Sequence, residues 1–410
     1  MRPCIVSSCG PALKPYWPLL IPEYDIVFLL DEAAQAGVAK QWPCQALSEY
    51  MPQVEPEYVW QIVGETAAGI DWKAAEQAFH YKDGWYTDTA GWLMGFTLRR
   101  AFEMTQRIMA LEHLKESREL SGILLHEDIT GGANFIAQWA RANEVPCVHV
   151  AHGGYGRREA YPGQDWDPHL KLRADVVCVW NEAQQASYLR QGAAPASVRL
   201  TGAGIMDHWF DIVPDKRWAK EMFGLDPDRP VLTWLGDFAT FSIDSVAKQI
   251  DAGFATICEA MKLLSDWQFI VRPHPGQHPW MQEWHAKMLK EHDMHGTIVM
   301  GDYMELIAQA SDVFYTATGS TACVEASIVG TPTVVTADSL KDDPFYIWAE
   351  AGNPQALTDA IKVCRGREKT GEWRDAKNKA LYELCWLADG KATERVMAVI
   401  NEYFKHVKAA

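Results

Sequence analysis

The residues best placed for chemistry in this chain are Thr318, Gly319, Ser320 and Thr321, within the segment DVFYTATGSTACVEASIVGTPTVV (312–335). An apolar, strand-like run ends just before them and a helical pattern begins with them. The free N–H groups and the dipole of a helix N-terminus attract anions, hydroxyls add donors, and glycine lets a phosphate approach closely. The segment therefore predicts a phosphate site. An ordinary helix cap is the alternative, because Ser and Thr are favoured there anyway.

Two acidic residues are further candidates for binding the same ligand. Glu325 lies about one turn into the predicted helix, where a carboxylate can accept hydrogen bonds from ribose hydroxyls. Asp237 follows Gly236 at the end of the apolar run 231–235. The alternatives are a solvated helix carboxylate for Glu325 and a simple turn for Asp237.

A second pattern, FIVRPHPGQHP (269–279), joins Arg272 and His274 through a proline-rich turn at the end of a strand-like run. Prolines restrict the backbone, so both side chains are expected to project from a rigid turn. Ligands of open α/β sheets bind outside the carboxyl ends of the strands. Guanidinium and imidazole donors suit a diphosphate at that place. A plain surface histidine is the alternative.

A third pattern, VHVAHGGYG (148–156), places His152 between a buried strand and two glycines. An exposed imidazole there could act as general base and remove a proton from an acceptor hydroxyl. The preceding run LLHEDITGG (124–132) ends in Glu127 and Asp128. Either carboxylate could replace the base or orient His152, although glycine turns before helices are also ordinary features of such domains.

These candidates all follow short apolar runs that alternate with amphipathic stretches, a pattern that predicts βαβ units and parallel sheets. Strands are predicted over residues 25–30, 122–126, 147–151, 176–180, 198–201, 231–235, 268–271, 297–300, 313–316 and 333–336. Helices are predicted over 133–143, 182–191, 245–264 and 391–407.

At 410 residues the chain exceeds what one hydrophobic core usually organises, so two domains are expected. The first spans 1–207 and includes a mostly helical insert around 35–120, which ends in a long helix near 89–117. The second spans 208–388 and carries the predicted phosphate site, so it is the domain expected to bind a nucleotide donor. The last segment, 389–410, is a closing helix that could pack back on the first domain.

Composition restricts the class of protein. Lys and Arg total 38 against 54 Asp and Glu, a formal charge of −16, which argues against a dedicated nucleic-acid binder while leaving a small basic pocket open. No apolar run is long enough to span a bilayer and the N-terminus does not resemble a signal peptide. Nine scattered cysteines without a CxxC pair indicate reduced thiols in a cytoplasmic protein.

Taken together, the three patterns resemble the GT-B superfamily, especially bacterial surface-polysaccharide glycosyltransferases and CDP-glycerol glycerophosphotransferases, with UDP-N-acetylglucosamine 2-epimerase as a more distant relative. The similar segments cover roughly residues 120–400: the His-Gly motif in VHVAHGG, the run 174–207, the Arg-x-His strand end, the strand-turn-helix 312–335 and the closing DGKATERVMAVI (389–400). The resemblance implies two Rossmann-like domains that face each other across a cleft, with the closing helix on the first domain.

By the same resemblance, His152 is the base, His274, Ser320 and Thr321 contact the donor phosphates, and Glu325 contacts the ribose. The chain departs from the glycerophosphotransferases, because Thr-Ala-Thr-Gly-Ser-Thr stands where they show Asp-Tyr-Ser-Ser. That departure argues against a CDP-glycerol donor.

The function expected from these residues is transfer of a sugar from a nucleotide-activated donor to a hydroxyl of a glycan or other acceptor. No resident cofactor is expected, and no metal site, since no DxD-like motif ends a strand. Four alternatives remain open: a sugar-nucleotide epimerase, a glycerophosphotransferase, an enzyme that glycosylates a modified nucleic-acid base, and a non-catalytic sugar-nucleotide sensor.

Overall fold

The computed structural model describes residues 2–8, 13–29, 44–68, 89–126, 131–151, 172–236, 244–274, 280–301, 303–317 and 319–405. The chain divides into two compact units. The first unit combines Met1–Ile205 with Ala392–Ala410, and the second unit is Met206–Lys391.

The first unit contains a seven-stranded sheet in which every pair of neighbouring strands is parallel. Its order is β3-β2-β1-β4-β5-β6-β7. The strands are β1 (Cys4–Ser7), β2 (Asp25–Phe28), β3 (Cys44–Ala46), β4 (Leu120–Leu125), β5 (Cys147–Val150), β6 (Val176–Val179) and β7 (Val198–Leu200). The four central strands β1, β4, β5 and β6 are buried along their whole length, as expected for a parallel sheet covered on both faces.

Among the described residues, five helices accompany these strands. They are α1 (Trp17–Leu20), α2 (Pro56–Ala67), α3 (Thr89–Ser117), α4 (Gly131–Ala142) and α5 (Glu182–Arg190), with short 3₁₀ segments at Leu47–Tyr50 and Pro195–Ser197. The start of α5 shows why a helix begins there: the side chain of Asn181 accepts a hydrogen bond from the backbone N–H of Gln184, at 2.8 Å.

The second unit contains a six-stranded parallel sheet in the order β10-β9-β8-β11-β12-β13. The strands are β8 (Val231–Leu235), β9 (Gln268–Arg272), β10 (Thr297–Ile298), β11 (Val313–Thr316), β12 (Thr333–Val335) and β13 (Ile347–Trp348). The order runs outward from β8 in both directions, so that the β8 end lies between the ends of β9 and β11.

The described part of the second unit contains seven helices. They are α6 (Lys216–Met222), α7 (Asp244–Lys262), α8 (Trp280–Glu291), α9 (Met304–Ala310), α10 (Thr321–Ile328), α11 (Pro354–Cys364) and α12 (Gly371–Cys385). Three 3₁₀ segments, Gly204–Asp211, Asp338–Leu340 and Arg367–Lys369, complete the described elements.

The C-terminal helix α13 (Ala392–Lys405) belongs to the core of the first unit. Val396, Ile400 and Phe404 recur every four residues and are fully buried, in one apolar cluster with residues of β1, β2, β4, β5 and β6. A stripe with this spacing is the buried face of an amphipathic helix. The expectation that the closing helix packs back on the first half of the chain is therefore confirmed.

The fold class predicted from the sequence is confirmed: two parallel-sheet Rossmann-like units are present, and every predicted strand exists within a few residues of its predicted bounds. Three strands were not predicted. They are β1, β13 and β3, and β3 lies inside the segment 35–120 that the sequence described as mostly helical.

Two classes of feature are missing from the part of the chain that the structure describes. No helix there has the length and apolar character that crossing a membrane requires. No group of three or more His, Cys, Asp and Glu side chains there could hold a metal ion. The cysteines within the described ranges are free thiols, and burial raises the pKa of Cys178 to about 12.

Asp312 joins three elements of the second unit. Its carboxylate accepts a hydrogen bond from the backbone N–H of Val231 at 2.8 Å, and it lies 3.1 Å from the ammonium groups of both Lys216 and Lys220. Lys220 is only 4% exposed, so Asp312 neutralises a buried charge. Burial alone would raise the pKa of Asp312, but the two lysines and the Val231 N–H outweigh it and hold the pKa below its usual range.

We expect Asp312→Asn to reduce the stability of the second unit by about 2–3 kcal/mol at pH 7, since it removes hydrogen bonds to a charged group and leaves Lys220 buried without its counter-charge. A depressed pKa stabilises the fold above the unfolded pKa of about 4, and this contribution disappears as pH falls through the folded pKa. Urea unfolding should therefore show a difference between wild type and variant that is full at pH 7 and shrinks below pH 4. Asp228→Asn, at an exposed position, is the control, and equal losses in the two variants would contradict the prediction.

Candidate functional site

Five of the described residues predicted to bind the donor lie at one edge of the six-stranded sheet, and the sixth, Glu325, lies within α10. Arg272 ends β9 and His274 follows it, whereas Gly319, Ser320 and Thr321 follow β11. Strand β8 lies between β9 and β11, so the two strand ends stand about 10 Å apart at the carboxyl edge, from the usual spacing of about 4.8 Å between strands. This is the edge at which ligands of open α/β sheets bind.

β8 is followed directly by Gly236, which has no side chain. The Gly236 N–H donates to the carbonyl oxygen of Arg272 at 2.8 Å, and a Cβ added to Gly236 would lie 3.0 Å from the backbone nitrogen of His274. Any larger residue at 236 would push the turn after β9 away from β8. Gly236 itself therefore adds no side chain to the space between the ends of β9 and β11.

The turn after β11 is a capped helix start. The hydroxyl of Ser320 accepts a hydrogen bond from the backbone N–H of Ala322 at 3.3 Å, and Ser320 has extended backbone angles, as an N-cap residue should. Gly319 is exposed, and a Cβ there would lie 2.9 Å from Leu340 Cδ1 and 3.2 Å from the hydroxyl of Tyr346. A side chain at position 319 would therefore require these two neighbours to shift, and phosphate binding at this turn stays a prediction.

Arg272 and His274 differ from the expectation that both project from the turn. Arg272 is 6% exposed, and its Nη1 donates a hydrogen bond to the carbonyl oxygen of Pro273. Because Arg272 is still within the buried strand, its guanidinium folds back onto its own turn. His274 is half-buried, and its pKa is lowered by burial and then by the charge of Arg272. A neutral imidazole that can donate one proton is therefore the group this turn presents near pH 7.

Glu325 lies on the part of α10 that faces the end of α12. Burial raises the pKa of the Cys385 thiol, and the carboxylates of Glu325 and Asp207 raise it further. Glu325 is half-buried, one turn after the helix start at Ser320. Its predicted contact with a ribose remains a prediction.

Five predicted site residues lie outside the described residues: Glu127, Asp128, His152, Asp237 and Thr318. The described chain adjoins each of them, since Ala151 follows β5 and precedes His152, and His126 follows β4 and precedes Glu127.

The structure adds a pair that was not predicted, at the carboxyl edge of the first sheet. The Ser8 hydroxyl lies 2.7 Å from Nδ1 of His126 and accepts the His126 backbone N–H at 2.9 Å. Ser8 is 1% exposed, so this contact gives its buried hydroxyl a hydrogen-bond partner. Nε2 of His149, on the neighbouring strand, lies 3.3 Å from the carbonyl oxygen of His126.

Known structures share this architecture along nearly the full chain. A UDP-GlcNAc 2-epimerase from Neisseria meningitidis bound to UDP-GlcNAc aligns with a TM-score of 0.57 at 12% identity, over 98% of this chain and 100% of that one. A glycosyltransferase from Rickettsia africae aligns with a TM-score of 0.55 at 10% identity, over 98% and 99%. An Anabaena protein in complex with UDP and glucose aligns with a TM-score of 0.56 at 10% identity, over 98% and 100%.

The chain has the GT-B fold. No family model and no curated protein sequence matches it. In a GT-B chain each sheet has its own carboxyl edge, and the candidates fall on both: His274 and Ser320 on the second, and Ser8, His126 and the strand that leads to His152 on the first. Sequence identities of 10–12% support a shared fold only, so the substrate must be argued from the residues of the site.

The role of the α10 start can be separated from its capping role by mutation. Ser320→Ala should lower the stability of the second unit by about 1 kcal/mol through loss of the cap, and should also weaken binding of a nucleoside diphosphate by about 10- to 100-fold, the value of one hydrogen bond to a charged group. Thr370→Ala is the matched control, because Thr370 caps α12 by accepting from the Trp373 N–H. It should lose the same stability and keep the affinity, both measured by calorimetry. If the two variants bind equally well, the phosphate site is elsewhere.

Proposed function

We propose that this GT-B-fold chain is an enzyme acting on a nucleotide-activated sugar, and specifically a glycosyltransferase. The observation that carries the proposal is the capped start of α10 at Ser320, on the same sheet edge as the half-buried His274, with the bare Gly236 between them. Helix N–H groups and an imidazole donor about 10 Å apart can bracket a diphosphate.

In the proposed reaction the second unit holds the donor diphosphate and stabilises the charge that develops on the leaving nucleotide. The helix dipole and the Ser320 and Thr321 hydroxyls supply part of this, and His274 donates one hydrogen bond. The guanidinium of Arg272 donates a hydrogen bond to the carbonyl oxygen of Pro273, so in this proposal Arg272 acts through its positive charge and does not contact the diphosphate directly. His152 removes the proton from the acceptor hydroxyl as the bond to the sugar forms, with Glu127 or Asp128 as the alternative base or as a partner that orients the imidazole.

A second candidate, sugar-nucleotide epimerisation, is favoured by the similarity of fold to the UDP-GlcNAc 2-epimerase from Neisseria meningitidis. Both reactions begin with the same donor bound at the same edge of the second sheet. They differ in stoichiometry, because an epimerase converts its nucleotide sugar without an acceptor, whereas a transferase releases a nucleoside diphosphate only as the sugar moves to a hydroxyl.

The first experiment is a thermal-shift screen of the full chain against UDP, GDP, CDP, CMP and dTDP, with EDTA present because the proposal involves no metal. A ligand at 100 times its dissociation constant stabilises the native state by about 2.7 kcal/mol. At least one nucleoside diphosphate should raise the melting temperature. Failure of every nucleotide to do so would overturn both candidate functions.

The second experiment incubates the matching nucleotide sugar with the enzyme alone and then with a panel of glycan acceptors, and follows the sugar by NMR. A new sugar nucleotide formed without acceptor identifies the epimerase. Acceptor-dependent release of nucleotide identifies the transferase. Tight binding with neither product contradicts both and leaves a sensor.

A further inference from the structure

The second unit contains a cavity that lies apart from the proposed donor edge. It has a volume of about 470 Å³, within the range of small-molecule sites. Part of its lining comes from the 3₁₀ segment Gly204–Asp211 and the residues just after it. Another part comes from α12 and the residues that follow α12. The lining residues used below are Trp209, Phe210, Ile328, Lys377, Asn378 and Tyr382.

Apolar and aromatic residues outnumber polar ones in the lining, while polar atoms form more than half of the exposed surface of the cavity, and Lys377 adds a cation to it. The Lys377 ammonium stands 5.5 Å from the centre of the Trp373 ring, and among the described residues it makes no ion pair with a carboxylate. The side-chain amide of Asn378, the next residue, likewise has no hydrogen-bond partner there. Burial and the nearby charge of Arg374 lower the pKa of Lys377. A cation held in an apolar wall without a counter-ion favours an anionic ligand.

The cavity and the proposed phosphate site lie at opposite ends of the same helix. Ile328 is the last residue of α10, whereas Ser320 caps its first turn. Eight helical residues at 1.5 Å each separate the two places by about 12 Å. Because α10 follows β11 and leads away from the carboxyl edge of the sheet, its Ile328 end is remote from the edge at which the donor diphosphate is proposed to bind.

We propose that this cavity binds a small organic anion with an aromatic body. Lys377 and Asn378 receive the anionic group, and the rings of Trp209, Phe210 and Tyr382 contact the body.

The test uses two fluorescent probes of the same shape on the full chain: the anion 8-anilinonaphthalene-1-sulfonate and the uncharged N-phenyl-1-naphthylamine. The wild type should bind the anion more tightly. Lys377→Met should weaken binding of the anion about tenfold, the value of one buried hydrogen-bonded charge, and leave the uncharged probe unchanged. Lys377→Arg should retain the anion within about twofold.

Lys379→Met is the matched control, because Lys379 lies on the same helix with a side chain that is 68% exposed and outside the cavity. It should bind both probes as the wild type does. Asn378→Trp, at an exposed helix position, should fill the opening and weaken both probes. Equal affinity of the anion for the wild type and Lys377→Met, or unchanged binding by Asn378→Trp, overturns the proposal. Neither result bears on donor binding, which is measured separately with the nucleotide panel.

Discussion

His152→Ala is expected to lower the rate of sugar transfer by about 10²- to 10⁴-fold, the usual contribution of a general base, while the dissociation constant of the donor changes by less than about twofold. The physical reason is that the imidazole acts on the acceptor hydroxyl, whereas the donor is held by the second unit. The described stretch 131–151 ends at the buried Ala151, which follows β5 and immediately precedes His152 in the sequence. Single-turnover rates and calorimetric donor binding measure the two quantities separately.

The control for that variant is His169→Ala, which removes another histidine from the same stretch of chain and should leave the rate unchanged. The pH profile separates the alternatives for the base. A histidine base gives kcat/KM that falls as pH drops through about 6.5, whereas a base at Glu127 or Asp128 moves that limb to about 4. Wild-type-like turnover in His152→Ala would contradict the assignment of His152 as the general base. If kcat/KM falls only near pH 4, the base is a carboxylate.

The parts of the site that depend on local sequence were predictable, and those that depend on tertiary contacts were not. Ser320 was recognised as the start of a helix because hydroxyl residues after a strand are typical N-caps, and it is the N-cap of α10. Arg272 was expected to project, but its guanidinium direction is decided by the burial of β9 and by the Pro273 carbonyl. Ser8 and His126 are 118 positions apart, so only the adjacency of β1 and β4 could reveal their hydrogen bond.

The same distinction explains the strands. Val231–Leu235 and Val313–Thr316 were predicted with their correct bounds because buried parallel strands are continuous apolar runs bounded by polar turns. β3 has the sequence CQA with three half-buried residues, and β13 has only two residues, so neither gives an apolar run. Their existence follows from pairing with β2 and β12, which no local pattern encodes.

A glycine in β4 allows the closing helix α13 to pack closely against the sheet of the first unit. A Cβ added to Gly122 would lie 2.2 Å from a ring carbon of Phe404, so the absent side chain is the space that this ring fills. Phe404 is fully buried, and its ring stands 6.3 Å from that of Tyr24 in an edge-to-face arrangement. One strand glycine and one helix aromatic, far apart in sequence, thus join α13 to the sheet.

Phe404→Ala should therefore destabilise the first unit by about 3–5 kcal/mol, because it removes a fully buried ring and leaves a cavity over Gly122. Since a chain of two units need not unfold in one step, the urea titration should be read for the transition of the first unit alone. Glu402→Ala is the control on the same helix: its ion pair with Arg199, 2.8 Å long and about half exposed, should be worth under about 1 kcal/mol. Equal shifts in the two variants would contradict the prediction, because the Phe404 ring would then contribute no more to stability than an exposed ion pair.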